Sequence, residues 1–167
     1  LEIACGPGNI TRYILAKRPD FRIEAIDLAP NMVELARKNN PTADFKIMDA
    51  REIDQLTGPY DAILCGFCMP YLSKADCAKL IADCAGLLDQ EGIFYFSTME
   101  GEDEQSGYES SSDGQHRAYI HYHQADYLQE RLEAYNFELL DFRRQDYHKP
   151  DGTMAVDMFF IARLRQA

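Results

Sequence analysis

Basic residues are scarce in this chain: 17 Lys and Arg stand against 28 Asp and Glu, a formal net charge of −11 over 167 residues. A nucleic-acid binder needs a basic face to displace phosphate counterions, so DNA, RNA and anionic membrane surfaces are excluded as general partners. Long apolar runs are also lacking. Asp, Glu, Lys and Arg interrupt every hydrophobic stretch well short of the roughly 18 residues that suggest a spanning helix, and no stretch reads as a signal peptide. Cysteine offers no disulfide framework: the five at 5, 65, 68, 77 and 84 are odd in number and fall inside regular patterns, as in a reducing compartment. The chain reads as cytoplasmic. Cys65 and Cys68 form one CxxC, but zinc would need further ligands and the candidates His121 and His123 lie in another segment. Buried apolar packing is the better reading of both thiols, and no metal is expected.

What is present is length and apolar content enough for one domain, with 46% hydrophobic residues. Apolar alternation predicts strands at "FRIEAIDLA", "DFKIMDA", "YDAILCGF" and "GIFYFSTME", after a short first strand at the start. Helical spacing covers Asn9 to Arg18, "PNMVELARKNN" from Pro30, a segment from about Ser73 to Gln90, and "HQADYLQERLEAYN". Ser73 is placed to cap its helix, with Asp76 at the third helical position. Such alternation predicts a parallel sheet covered on both faces. Two late strands, "FELLDFRRQDYHK" and "MAVDMFFIARL", joined by Pro-Asp-Gly-Thr, predict an antiparallel hairpin. The whole of 1–167 is read as a single domain. Residues 101–117 are too polar and too long for an ordinary connection and read as a lid or flexible loop.

Chemistry gathers where the first three strands end. Cys-Gly-Pro-Gly after the first strand is a turn that lets a ligand approach bare backbone and aims helix amides at negative charge. Alone, Gly6 and Gly8 serve turn geometry as well as they serve a ligand. Asp27 ends the second strand, 19 residues after Gly8, where a carboxylate accepts from both hydroxyls of a ribose; it also lies just before the helix at Pro30, where a helix-terminal charge is an alternative. Asp49, at the end of the third strand, is placed to accept from an exocyclic amine such as that of adenine.

With these in register, the sequence resembles the class I S-adenosylmethionine-dependent methyltransferases of small-molecule type along nearly its whole length. "EIACGPGN" is similar to that family's first motif, "IEAIDLAPNMVELARKN" to its second, and "DFKIMDAREI" to its third. "YDAILCGFCMPYL" and "LLDQEGIFYFSTME" resemble the segments around the fourth and fifth strands. The resemblance implies an α/β, doubly wound, Rossmann-like sheet of order 3-2-1-4-5-7-6 with an antiparallel C-terminal hairpin. Family members usually carry helices before the first strand, whereas Leu1 already stands in it, so N-terminal helices are expected to be missing.

By the same resemblance S-adenosylmethionine is the cofactor. Glu2, Ala4, Cys5 and Gly6 surround its methionine part and Gly8 permits close approach. Asp27 holds the ribose; Leu28 and Met32 flank the adenine, Asp49 and Ala50 meet its polar edge, and Cys65 and Phe67 border the sulfonium. The implied reaction moves a methyl group to an O, N or C nucleophile of a small molecule. Tyr71 is a candidate for the acceptor pocket. His121 and His123, on one face of an extended "YIHYHQ", are candidate bases, with a strand leading into a helix as their structural alternative. Two other readings remain open: an NAD-dependent oxidoreductase, disfavoured because Thr11 stands where a dinucleotide fingerprint has its third glycine, and a non-catalytic cofactor-binding interaction module.

Overall fold

The computed structural model describes residues 1–110, 115, 117–148 and 152–166. Strands β1 (Glu2–Ile3), β2 (Glu24–Asp27), β3 (Asp44–Ile47), β4 (Tyr60–Gly66) and β5 (Leu88–Glu100) alternate with helices α1 (Asn9–Lys17), α2 (Pro30–Asn39) and α3 (Lys74–Leu87). A hairpin β6 (Gly107–Ser110) and β7 (Arg117–Ile120), helix α4 (Ala125–Ala134), and strands β8 (Phe137–His148) and β9 (Met154–Leu164) follow. The main sheet has seven strands in the order β3-β2-β1-β4-β5-β9-β8. β1 to β5 pair in parallel and β9 runs antiparallel between β5 and β8. With β9 as seventh and β8 as sixth, this is the order anticipated from sequence.

Local chemistry accounts for the element boundaries. Ser73 Oγ accepts from the Asp76 amide at 3.1 Å and starts α3. That helix ends at Leu87, before Gln90, because Leu88 already pairs with Tyr60 on β4. Pro30 opens α2, where its missing N–H costs nothing. The connection between β3 and β4 is a 3-10 segment, Ala50–Gln55, capped by Asp49.

Successive strand residues point to opposite faces, and the two faces have different cores. On one side Ile3, Ile63, Phe94, Phe96 and Phe160 pack with Leu80, Ile81 and Cys84 of α3 and Leu128 and Leu132 of α4. On the other, Ala25 and Phe45 pack with Val33 and Ala36 of α2. This second face is covered less fully than a doubly wound pattern predicts, since Leu64, Tyr95 and Ile161 on β4, β5 and β9 stay half-buried.

Within the stretch read as a loop, 101–117, the described residues 101–110 are more regular than their composition suggests. Asp103–Gln105 is a 3-10 turn, and β6 pairs with β7 as a separate two-stranded sheet with Tyr108 opposite Tyr119. Residues 111–114 and 116 of that stretch, and Pro150 and Asp151 of the expected hairpin turn, lie outside the described residues. Among the described residues no helix is long and apolar enough to cross a membrane.

Candidate functional site

A cavity of about 300 Å³ opens at the C-terminal ends of β1 to β4, the crevice where open α/β sheets take ligands. Ala4, Asp27, Leu28, Asp49, Ala50, Phe67 and Tyr71 line it, all anticipated from sequence, together with Met48, Arg51, Gly66, Cys68 and Leu72, which were not.

The turn after β1 reaches the cavity through Ala4. Ala4, Gly6 and Gly8 all have positive φ, at 56°, 53° and 78°, so the backbone coils back on itself and Cys5 is turned into the α2 core. The two glycines serve different ends. A Cβ on Gly6 would meet nothing within 4 Å, whereas one on Gly8 would come within 2.4 Å of Asn40 Nδ2 and 3.3 Å of Ala36. Gly6 stands against open space. Gly8 lets α1 and α2 close together, with Asn40 Nδ2 donating to its carbonyl at 3.0 Å.

Asp27 ties the turn to the second strand. Its Oδ2 accepts from the Gly6 amide at 2.8 Å and its Oδ1 from the Ala29 amide at 2.9 Å. It steadies the entry to α2, and a carboxylate with about four acceptor positions has about two more than these two amides use.

Asp49 is more fully engaged. Its Oδ1 accepts from Arg51 N at 3.0 Å and from Arg51 Nε at 2.9 Å, and Arg51 Nη2 reaches Oδ2. Hydrogen bonding to Arg51 holds the Asp49 carboxyl below its ordinary range. Arg51 was missed because a single arginine two residues past a strand-end aspartate carries no pattern.

Phe67 closes the far wall in an uncommon conformation. Its φ of 52° lies in the left-handed region, rare for a bulky residue. Ser97 Oγ accepts from its amide at 3.0 Å and Phe159 meets its ring edge-on at 6.0 Å. Strain of this kind persists where surrounding contacts enforce it, and gathers at ligand sites.

Other anticipated residues lie off the cavity. Glu2 is 2% exposed, its Oε2 accepts from Thr11 Oγ1, and its Oε1 has no partner among the described residues. Burial raises its pKa, partly offset by that hydrogen bond. Cys5 is pushed up to about 12, chiefly by burial and then by Glu2 and Asp27, which makes it an inert thiol. Met32 is half-buried on α2, and Cys65 is buried behind Cys68, its pKa raised by the Cys68 hydrogen bond and by burial. All five cysteines are free and buried, and no group of three or more His, Cys, Asp or Glu among the described residues could hold a metal.

The two histidines are not brought to the cavity. His123 is fully buried, with Nε2 3.0 Å from the Met69 carbonyl and 3.5 Å from Cys77 Sγ. Nε2–H donates to that carbonyl, leaving Nδ1 as an acceptor without a partner among the described residues. Burial lowers its pKa and keeps the ring neutral. The backbone amide of His121 donates to the Pro70 carbonyl at 2.7 Å, which anchors β7 beside the 3-10 turn Met69–Tyr71.

Comparison with known proteins agrees with this geometry. A family described as "Methyltransferase domain" matches residues 1–92, more than half of the chain. A malonyl-[acyl-carrier protein] O-methyltransferase from Acetivibrio thermocellus is 32% identical over 101 residues, covering 59% of this chain and 35% of that protein. A trans-aconitate 2-methyltransferase from Methylobacterium radiotolerans is 33% identical over 93 residues, covering 56% and 35%. The chain thus spans about a third of the length of these curated relatives. Among solved structures, an S-adenosylmethionine-dependent methyltransferase from Methanosarcina mazei superposes with a TM-score of 0.84 at 16% identity, over 99% of this chain and 92% of that one. At such identity the superposition speaks for the fold, and the sequence match speaks for the family. By the sequence match this chain belongs to the methyltransferase-domain family, with the fold of the class I S-adenosylmethionine-dependent methyltransferases.

Proposed function

We propose that the chain binds S-adenosylmethionine in the cavity at the ends of β1 to β4 and transfers its methyl group to a nucleophile on a small molecule. One observation carries this reading: Ala4 of the glycine turn, Asp27 and Asp49 follow or end three adjacent parallel strands and line one cavity. When bound, S-adenosylmethionine supplies a sulfonium-activated methyl group open to in-line displacement by the acceptor.

The chain's own residues supply position and shelter. Asp27 accepts from the ribose hydroxyls with the lone pairs its two amide donors leave free. Ala4 and Gly6 give the methionine part a bare backbone wall, and Leu28, Met48 and Ala50 enclose the adenine. Asp49 receives the exocyclic amine beside Arg51. Phe67, Cys68 and Leu72 exclude water at the reacting end, and Tyr71, 62% exposed at the rim, orients the acceptor. Glu2 supports the turn through Thr11 rather than touching the ligand. Thr11, buried and bonded to Glu2, fills the place of a dinucleotide fingerprint's third glycine, which speaks against NAD.

The net charge of −11 favours a small-molecule acceptor over a nucleic acid, and the free buried thiols suit a reducing compartment such as the cytoplasm. The lining holds no histidine or lysine among the described residues, so an acceptor that is already anionic needs no base. The test is a turnover assay with labelled S-adenosylmethionine against panels of small carboxylates, phenols and amines. Labelled product that disappears in Asp27→Ala supports the reading, and cofactor binding with no turnover across the panels favours the interaction-module alternative.

A further inference from the structure

A row of rings runs from the protein interior out along the β6–β7 hairpin. His123, buried beneath the turn Met69–Tyr71, lies 6.4 Å from the His121 ring at an interplanar angle of 23°. His121 is 4.8 Å from Tyr119, Tyr119 is 5.2 Å from Tyr108, and the Arg117 guanidinium sits 5.2 Å over the Tyr108 ring. Residues 117, 119 and 121 share one face of their strand because side chains alternate, and Tyr108 joins them as the cross-strand partner of Tyr119. The outer rings are open, Tyr108 at 67% and Tyr119 at 42% exposure. The strand is tied to the turn that borders the cofactor cavity, since the amide of His121 donates to the Pro70 carbonyl and the next residue, Tyr71, lines the cavity.

We infer that this row is the acceptor platform, and that the acceptor is a planar aromatic molecule with an anionic group that meets Arg117. The inference rests on the methyl-transfer reading of the adjoining cavity. Exposed aromatic faces favour flat rings, by edge-on or offset stacking, over saturated rings of equal size. A guanidinium at the outer end adds a charge-assisted bond to a carboxylate. In a chain of net charge −11, long-range steering repels an anion, so selectivity for one must come from a local cation of this kind.

The alternative is that the rings merely staple a two-stranded hairpin, and the experiment separates the two. Binding of 4-hydroxybenzoate, of cis-4-hydroxycyclohexanecarboxylate and of 4-hydroxybenzamide is measured by calorimetry on the protein saturated with S-adenosylhomocysteine. The platform predicts that 4-hydroxybenzoate binds about three- to tenfold more tightly than either analogue. Tyr119→Leu should remove the preference over the saturated ring, and Arg117→Gln the preference over the amide, with S-adenosylhomocysteine affinity unchanged in both. Equal binding of the three probes, no binding of any, or preferences that survive both substitutions would overturn the platform. Arg117→Gln retains the tyrosine pair, so it reads the proposal even if Tyr119→Leu unfolds the hairpin. Failure of the unsubstituted chain to bind S-adenosylhomocysteine would overturn the methyl-transfer reading itself, which distinguishes that failure from one of the platform.

Discussion

At the scale of single residues, the site is built from side chains that each satisfy a structural demand while leaving something over for a ligand. Asp27 holds two backbone amides. Asp27→Ala is expected to weaken S-adenosylmethionine binding about ten- to a hundredfold, the loss of a charge-assisted hydrogen bond of about 1.5–3 kcal/mol. Titration calorimetry reads the affinity, and the thermal midpoint taken alongside reports the part that belongs to the turn. Gly8 has no such surplus. Gly8→Ala must place a Cβ 2.4 Å from Asn40 Nδ2 at a φ of 78°, costing about 1–2 kcal/mol for the left-handed backbone alone. Adding Asn40→Ala should relieve the clash, at the expense of the Asn40 hydrogen bonds, and leave the backbone strain. Urea denaturation of both variants checks this, and a Gly8→Ala protein as stable as the parent would contradict it. The strand-end positions of Gly6, Gly8, Asp27 and Asp49 were legible in the sequence from residue type and spacing, but the packing of Gly8 against α2 was not. Arg51 and the left-handed Phe67 were not, since nothing local distinguishes an arginine that grips a neighbour or a phenylalanine whose backbone is bent by Ser97 and Phe159.

At the scale of elements, β1 combines brevity with a buried acid. It has two residues, one of them Glu2, whose side chain is sealed between α1 and the sheet. Because burial raises the folded-state pKa of Glu2 above its unfolded value, the native state binds the proton more readily. Stability is therefore greater at pH below the unfolded carboxyl range and falls as pH rises through the folded-state pKa. Glu2→Gln keeps an oxygen for Thr11 and removes the charge, so its thermal midpoint should exceed the parent's at neutral pH and converge with it in acid. A midpoint lowered at neutral pH would mean that the ionised carboxylate is a net stabiliser. The helices and strands themselves were legible from periodicity and caps, as Ser73 and Pro30 illustrate. The hairpin within 101–117 was not, because its polar, serine-rich sequence lacks strand alternation and its order comes from cross-strand rings and the anchor at Pro70. His121 and His123, expected as candidate bases, are not among the residues that line the cavity. Sequence placed them on one face, with His123 buried under the turn at Met69 and His121 continuing toward the exposed Tyr119.

At the scale of the whole molecule, topology converts these pieces into a site. Parallel strands β1 to β4 bring Gly6, Asp27, Asp49 and Phe67 to one edge of the sheet although they are spread over 62 positions, from 6 to 67. The antiparallel β9 then brings Phe159 against Phe67 from the opposite end of the chain. Sheet order was legible because alternating strands and helices with a closing hairpin admit few arrangements. The half-buried face at Leu64, Tyr95 and Ile161 was not, since periodicity marks a residue as apolar without saying what covers it. The central claim, that this sheet edge is an S-adenosylmethionine site organised by Asp27, is tested most directly by calorimetric titration of the chain and of Asp27→Ala with S-adenosylmethionine, with NAD as control. The account predicts saturable binding of S-adenosylmethionine, weakened at least tenfold by the substitution, and no heat with NAD. Absence of S-adenosylmethionine binding, or equal affinity in the two proteins, would contradict it.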